Sequence, residues 1–242
     1  MYNRKAIFVS SNARTLKKRF KNNKQVLYIK TKIRNIKAKY RNPVRGNNNL
    51  IRNHGVLTNC VYDIQGDNNT VEIGQGTLLY NMRIFMRGNN HKLIIGSNCR
   101  FNGGDFYFED DHCTVQIGDR TTVESAHFAV TEPGKSITVD SDCMFSNGIE
   151  LRTGDSHSII DNTTKLRINY AKDIHVKNHV WIGAKAIILK GVTIGNDSIV
   201  GTGSLVTSDV PENCIAAGIP AKVVKENTNW DRKRIYDENY KG

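Results

Sequence analysis

An aliphatic residue followed by a small or acidic one returns every 22 residues, at Ile73-Gly74, Ile95-Gly96, Ile117-Gly118 and Val139-Asp140. Other columns keep the phase. Val71, Leu93, Val115 and Ile137 lie two positions earlier; Thr77, Cys99, Thr121 and Cys143 lie four positions later; Leu79, Phe101, Val123 and Phe145 lie two beyond those. Apolar residues two apart with polar ones between form half-buried strands. A fixed period of this length marks stacked coils, each burying its apolar face against its neighbours. Further on the period shortens to six, through Val176, Ile182, Ile188, Ile194, Val200 and Val206, with small residues Ala186, Val192, Ser198, Ser204 and Val210 four positions after the last five. Such a unit is one short strand and one tight turn, and three units close a triangular coil with the aliphatic inward and the small residue in the corner. The 22-residue copies then read as coils of the same prism with about four extra residues in one turn. The fold expected is an all-β parallel solenoid, which needs no broad core and suits a chain only 38% apolar and 8% aromatic.

Charge divides the chain. Residues 1–45 hold fifteen Lys/Arg and no Asp or Glu, leaving 20 of the 35 basic residues against all 23 acidic ones. Within this arm Val26, Ile29, Ile33, Ile36 and Tyr40 mark one face of a helix flanked by lysines and arginines, ended by Pro43 and Gly46. A cationic amphipathic helix suits an anionic membrane surface or an acidic polysaccharide, and its plainer role is to cap the first coil. No aromatic-and-basic sheet or zinc motif supports nucleic-acid binding. No apolar stretch is long enough to span a bilayer, and "MYNRKAIFVSS" lacks a signal-peptide core, so a cytoplasmic protein is expected, with the arm as its contact to the inner membrane face. The five cysteines show no paired or metal-binding spacing, and Cys99 and Cys143 read as small corner residues.

The hexapeptide run "VWIGAKAIILKGVTIGNDSIVGTGSLV" and the following "AAGIPAKVVK" resemble the hexapeptide-repeat acyltransferases, strongly over 132–226, loosely over 46–131 and not at all in the arm. The resemblance is nearest to sugar and capsular-polysaccharide O-acetyltransferases. It implies a left-handed parallel β-helix over 46–217 with a loop at about 161–175, followed by a CoA-side loop and tail over 218–242. It also implies acetyl-CoA as donor, no metal, a glycan acceptor, a homotrimer with the donor groove between prisms, and a histidine as general base.

Seven histidines are available, and the repeat alone does not choose among them: corner turns recur at 66–69, 88–91, 110–113, 132–135 and 154–157, which puts His91 and His157 in one column. His157, in "GDSHSI", is set apart because Asp161 breaks the pattern after it and a polar loop, "DNTTKLRINYAKD", follows. The resemblance adds a histidine upstream of "WIG", here His157 and Trp181. It gives Trp181 the role of a wall for acetyl or sugar and puts Glu124 near the acceptor. The thioester would approach at Gly183 and Ala184, the pantetheine track would pass Ala184, Thr202 and Thr207, and Lys222 and Lys225 would meet the phosphates. Ser158 follows His157 where galactoside-type enzymes carry proline, which points away from a galactoside acceptor. Asp155 is a candidate to orient His157 or meet the acceptor, against the plainer reading of a solvated turn carboxylate. Imidazole suits the task, since a base with pKa near ambient can take a hydroxyl proton and return it to the leaving thiolate. Rival readings are an N-acetyltransferase acting on a nucleotide-linked amino sugar, a metal-dependent hydratase and a non-catalytic solenoid.

Overall fold

The structure is a computed structural model that describes residues 43–236. The expected helix of the basic arm lies outside the described residues, and Val44–Arg45, at the end of that arm, already form the first strand. Strands fall into three sheets. The first contains β1 (Val44–Arg45), β4 (Val61–Gln65), β7 (Met82–Arg87), β10 (Gly104–Phe108), β13 (Ala126–Val130), β16 (Ile149–Arg152), β19 (Ile187–Ile188) and β22 (Leu205–Val206). The second contains β2 (Leu50–Asn53), β5 (Thr70–Ile73), β8 (Lys92–Ile95), β11 (Thr114–Ile117), β14 (Ser136–Val139), β17 (Ile174–Val176) and β20 (Thr193–Ile194). The third contains β3 (Val56–Thr58), β6 (Leu78–Tyr80), β9 (Arg100–Phe101), β12 (Thr122–Val123), β15 (Met144–Phe145), β18 (Trp181–Ile182), β21 (Ile199–Val200), β23 (Ile215–Gly218) and β24 (Ala221–Lys225). Pairing is parallel throughout except for β23 with β24. The described residues therefore form an all-β parallel solenoid, and no helix among them is long and apolar enough to cross a membrane.

The sequence columns are the rungs. Val71, Leu93, Val115 and Ile137 pair in register down the second sheet, and Ile137 then meets Ile174 across a gap of 37 residues. The hexapeptide aliphatics from Val176 to Val206 are all at most 1% exposed. One expectation is corrected. The extra residues of the longer coils do not swell a turn but lengthen strands: β7 has six residues and β10 and β13 five, against two in β19 and β22. The longer strands of the first sheet bring Met82, Ile84, Met86, Phe106, Phe108 and Phe128 into the interior. There Phe128 stacks between Phe106 at 5.0 Å and Phe145 at 6.0 Å. This core is wider than a hexapeptide prism can hold, and aromatics fill it.

Most corners are turned by a residue in the left-handed region. At the corner between the first and second sheets these include Asn48, Asn68, Asn90, His112, Gly134 and Ser156, with φ from 56° to 74°. Asparagine tolerates that region because its short polar side chain bonds locally. Corner side chains also pass hydrogen bonds from rung to rung. The amides of Asp67 and Asn89 donate to the side chains of Asn89 and Asp111 at 2.8 and 2.6 Å. At the next corner the amides of Cys99 and Cys143 donate to the hydroxyls of Thr77 and Thr121 at 3.0 and 3.3 Å. The thiols of Cys99 and Cys143 in turn donate to the carbonyls of Gly118 and Lys177, as the Thr77 hydroxyl does to Gly96. Burial pushes the Cys143 thiol up to about 12, which suits an inert corner residue.

Beyond β24 the tail turns back down the corner between the second and third sheets. The Thr228 amide donates to the Asn213 carbonyl, Trp230 Nε1 donates to the His179 carbonyl at 2.8 Å, and Arg232 reaches the Cys143 carbonyl and the Thr122 hydroxyl.

Since Cys143 does the work of the threonine in its column, Cys143→Thr is expected to shift stability by less than about 1 kcal/mol. Phe128→Ala, which empties the aromatic stack, is expected to cost about 3–5 kcal/mol. Thermal unfolding followed by circular dichroism checks both.

Candidate active site

The repeat is interrupted once, between the end of β16 at Arg152 and the start of β17 at Ile174. The last rung still closes normally into this segment. Thr153 is fully buried, its hydroxyl accepts from the Thr131 amide at 2.9 Å, and Ser156 takes the corner conformation with φ 62°. "GDSHSI" is thus a further copy of the corner, and the chain leaves the prism just after it. The excursion folds back on itself: Ile160 bridges Arg167 antiparallel, and the Asp161 carboxylate caps the tip by accepting from the amides of Thr163 and Thr164.

His157 and His91 share a column and have opposite fates. His91 is fully buried; its Nδ1 accepts from the Cys113 amide at 3.2 Å and its Nε2 donates to the Arg87 carbonyl at 3.0 Å. Burial holds its pKa below the ordinary value, and with both nitrogens occupied it has no free site for a substrate proton. His157 is exposed, and its ring makes no hydrogen bond among the described residues. His112, His127, His175 and His179 each have a ring partner in Asn90, Asp105, Asp140 or Asp197. His54 is exposed without one, but it follows β2 in the first complete coil, five rungs from Trp181, or about 24 Å at ~4.8 Å per rung.

The Asp155 carboxylate makes no hydrogen bond to the His157 ring. It pairs with Lys190 and accepts from Asn169 Nδ2 at 2.9 Å, and the Lys190 hydrogen bond is the chief reason its pKa lies below the usual value. Glu132 is likewise occupied, by Arg167 and the Ala171 amide; burial pushes its pKa up, and those contacts together outweigh it and hold the group low. Both pairs tie the excursion to the prism. Sequence periodicity gave no hint of Asn169, which is 7% exposed inside a polar loop, or of Lys190. A nonperiodic segment leaves nothing to align.

Trp181 opens β18 in the third sheet, 38% exposed, with its ring at 6.0 Å from that of Trp230. Trp230 in turn stacks on His179 at 4.3 Å, a contact that sequence reading missed because it joins residues far apart in the chain. Along the outer face of the third sheet, Trp181, Ile199, Ile215 and Lys225 occupy one cross-strand row. Beside it, Ala184 and Thr202 turn the same corner one coil apart, and Lys222 pairs with Ala217. Thr207 lies further round, past the end of β22. Exposed Glu124 lies in the Gly183 column two rungs below it and accepts from Asn102 at 2.8 Å.

Backbone packing demands glycine at position 183. A Cβ there would stand 2.6 Å from the Thr202 nitrogen, so the next coil already fills that space. Its N–H is also spent on the Val200 carbonyl at 2.8 Å, whereas the Ala184 N–H makes no hydrogen bond among the described residues. Within one chain, then, two groups of candidates stand at different edges of the prism. His157 follows the corner between the first and second sheets, and Trp181 with Ala184, Thr202 and Lys225 belongs to the third. They are nonetheless within one rung of each other in height, because the rung ending in β16 lies directly beneath the rung holding β18. No group of three metal-ligating side chains is assembled among the described residues.

Comparison with known proteins decides the family. The family model "Bacterial transferase hexapeptide (six repeats)" matches residues 173–208. A polysialic acid O-acetyltransferase of Neisseria meningitidis is 35% identical over 202 residues, covering 74% of this chain and 94% of that protein. The chain belongs to the hexapeptide-repeat transferases. It is an acyltransferase. A galactoside O-acetyltransferase of Lactococcus lactis is 34% identical over 148 residues, 61% of this chain and 69% of that one. The crystal structure of the polysialic acid O-acetyltransferase OatWY superposes with a TM-score of 0.76 at 32% identity, over 82% of this chain and 96% of that one.

Because the folded-state pKa of Asp155 is depressed, the Asp155–Lys190 pair stabilises the transferase's excursion above the ordinary carboxylate pKa of about 4, and that contribution is lost as pH falls through the depressed value. Limited proteolysis of the excursion across acid pH checks this. Lys190→Met is expected to move the onset of cleavage to higher pH.

Proposed function

We propose that this transferase moves the acetyl group of acetyl-CoA onto a sugar hydroxyl of a cell-surface polysaccharide, with His157 as general base. The observation that carries the base assignment is the state of its ring: exposed and unpartnered at a rigid corner, within one rung of the Trp181 row in height, while the other histidines are occupied or remote. The acceptor class rests on relatives named as polysialic acid and galactoside O-acetyltransferases. His157 takes the hydroxyl proton as the oxygen attacks the thioester carbonyl, then returns it to the departing thiolate, so acceptor and leaving group are served by one imidazole. The Ala184 N–H donates to the oxygen on which negative charge develops. Trp181 supplies an apolar face beside the reacting atoms, Thr202 and Thr207 border the pantetheine, and Lys222 and Lys225 meet the phosphates.

The active form in this reading is a homotrimer of left-handed prisms. Rotation about an axis parallel to the solenoids keeps heights unchanged, so His157 of one copy faces the Trp181 row of the next. The excursion exposes Ile159, Leu166, Ile168 and Tyr170 by 54–65%, a cluster that a neighbouring copy would cover. The basic segment 1–45 would hold the enzyme near an acidic glycan or an anionic membrane surface.

A thiol-release assay with acetyl-CoA across glycan acceptors, beginning with polysialic acid, tests the reading. His157→Ala is expected to lower kcat by roughly 10²–10⁴ with the KM for acetyl-CoA little changed. A His157→Ala enzyme at wild-type rate would remove the base assignment. The double variant Leu166→Asp/Ile168→Asp is expected to yield monomers by light scattering and to lose activity with them.

A further inference from the structure

Asn169 surrounds His157 in a way that no other side chain of the excursion does. Its carboxamide has two donors and two acceptor positions, and all four are used. Nδ2 donates to the His157 carbonyl at 2.7 Å and to the Asp155 carboxylate at 2.9 Å. Oδ1 accepts from the Ile159 amide at 2.7 Å and from Arg167 Nε at 3.1 Å. The amide cannot be turned over, because that would aim its hydrogens at two donors and its oxygen at two acceptors. One buried group therefore grips the chain two residues before His157, at His157 and two residues after it. The His157 amide adds its own bond to the Asp155 carbonyl at 2.7 Å, and Lys190 reaches across from the next coil to the Asn169 carbonyl at 2.8 Å. The His157 ring, by contrast, has nothing of its own to hold it.

We propose that Asn169 is the positioning residue of the base: it fixes the backbone of residues 155–159 so that the unpartnered His157 imidazole is held at one place and angle. In triads of the familiar kind a carboxylate orients the ring directly. Here the nearby carboxylate is committed to Lys190, and orientation is imposed from the main chain. The proposal rests on the reading of His157 as base. No bond is made or broken at Asn169, and its effect on rate comes from geometry alone, where a misplacement near 1 Å can cost roughly 10²-fold.

The test uses the full chain with the acceptor identified by the glycan screen. Asn169→Ala removes all four bonds. Asn169→Asp keeps the shape but replaces the two donors with an oxygen facing the His157 carbonyl and the Asp155 carboxylate. Both are expected to lower kcat roughly 10²-fold with the KM for acetyl-CoA within about twofold, and with the melting point of the solenoid and the oligomeric state retained. The same substitutions placed in His157→Ala are expected to cause no further loss, since there is no ring left to position. Wild-type kcat in both variants, a rise in the KM for acetyl-CoA in step with the fall in kcat, or an equal further loss in the His157→Ala background would each overturn the proposal. If His157→Ala falls below detection, the split between kcat and KM decides alone. A fully active His157→Ala enzyme defeats the base assignment itself, whereas an inactive one beside fully active Asn169 variants defeats only the positioning role.

Discussion

Everything in this molecule depends on the hydrogen bonds that run along the prism axis, from each coil to the next. A solenoid of short strands has little lateral support, since β19 and β22 contribute only two residues each. Corner side chains add a second set of axial bonds, in which Asn, Asp and Thr oxygens accept from amides one coil away. The left-handed corner residues make this possible, because each turns the chain within one or two residues and keeps the small corner side chains in register. The corner geometry is thereby fixed, and variation is confined to strand length in the first sheet, to outward side chains and to the excursion. His91 and His157 show the consequence within one column. Where a further coil stacks above, the ring becomes a link in the axial ladder; where the chain departs, it is left facing solvent.

The fold was readable from sequence because stacking repeats the same demand at fixed intervals. Val71, Leu93, Val115 and Ile137 must all be aliphatic for the same reason, and alignment within one chain reveals it. The same logic places Cys99 and Cys143 at corners, where both are buried. It failed where repetition stops. The long strands of the first sheet read as a swollen turn because Ile84, Phe106, Phe128 and Leu151 differ in size and type, and such a column has no single signature. Gly183 also meets a demand of the adjacent coil that a single sequence does not show. Asn169 lies in a segment with no period to align, and Lys190 and Trp230 act through contacts across tens of residues, of which a single sequence carries no record.

The two groups of candidate residues illustrate a general property of prisms. A triangular coil presents three outward faces, so side chains at one edge cannot converge with those on the opposite face of the same chain however close they are in sequence. His157 and the Trp181 row are within one rung of each other in height but lie at different edges. A chemistry requiring both must be completed by a second surface, and its geometry is then set by assembly as much as by folding.

The tail bears on how the molecule comes apart. Stacked coils ordinarily open from their free ends, one rung at a time, because each is held only by its neighbour. Here the segment after β24 runs back along one edge, from the Asn213 carbonyl past His179 to Cys143 and Thr122. It acts as a splint. The last coil cannot peel away without also lifting Trp230 and Arg232 from coils well below it, so the terminal rungs are tied to the middle of the stack and fray together or not at all.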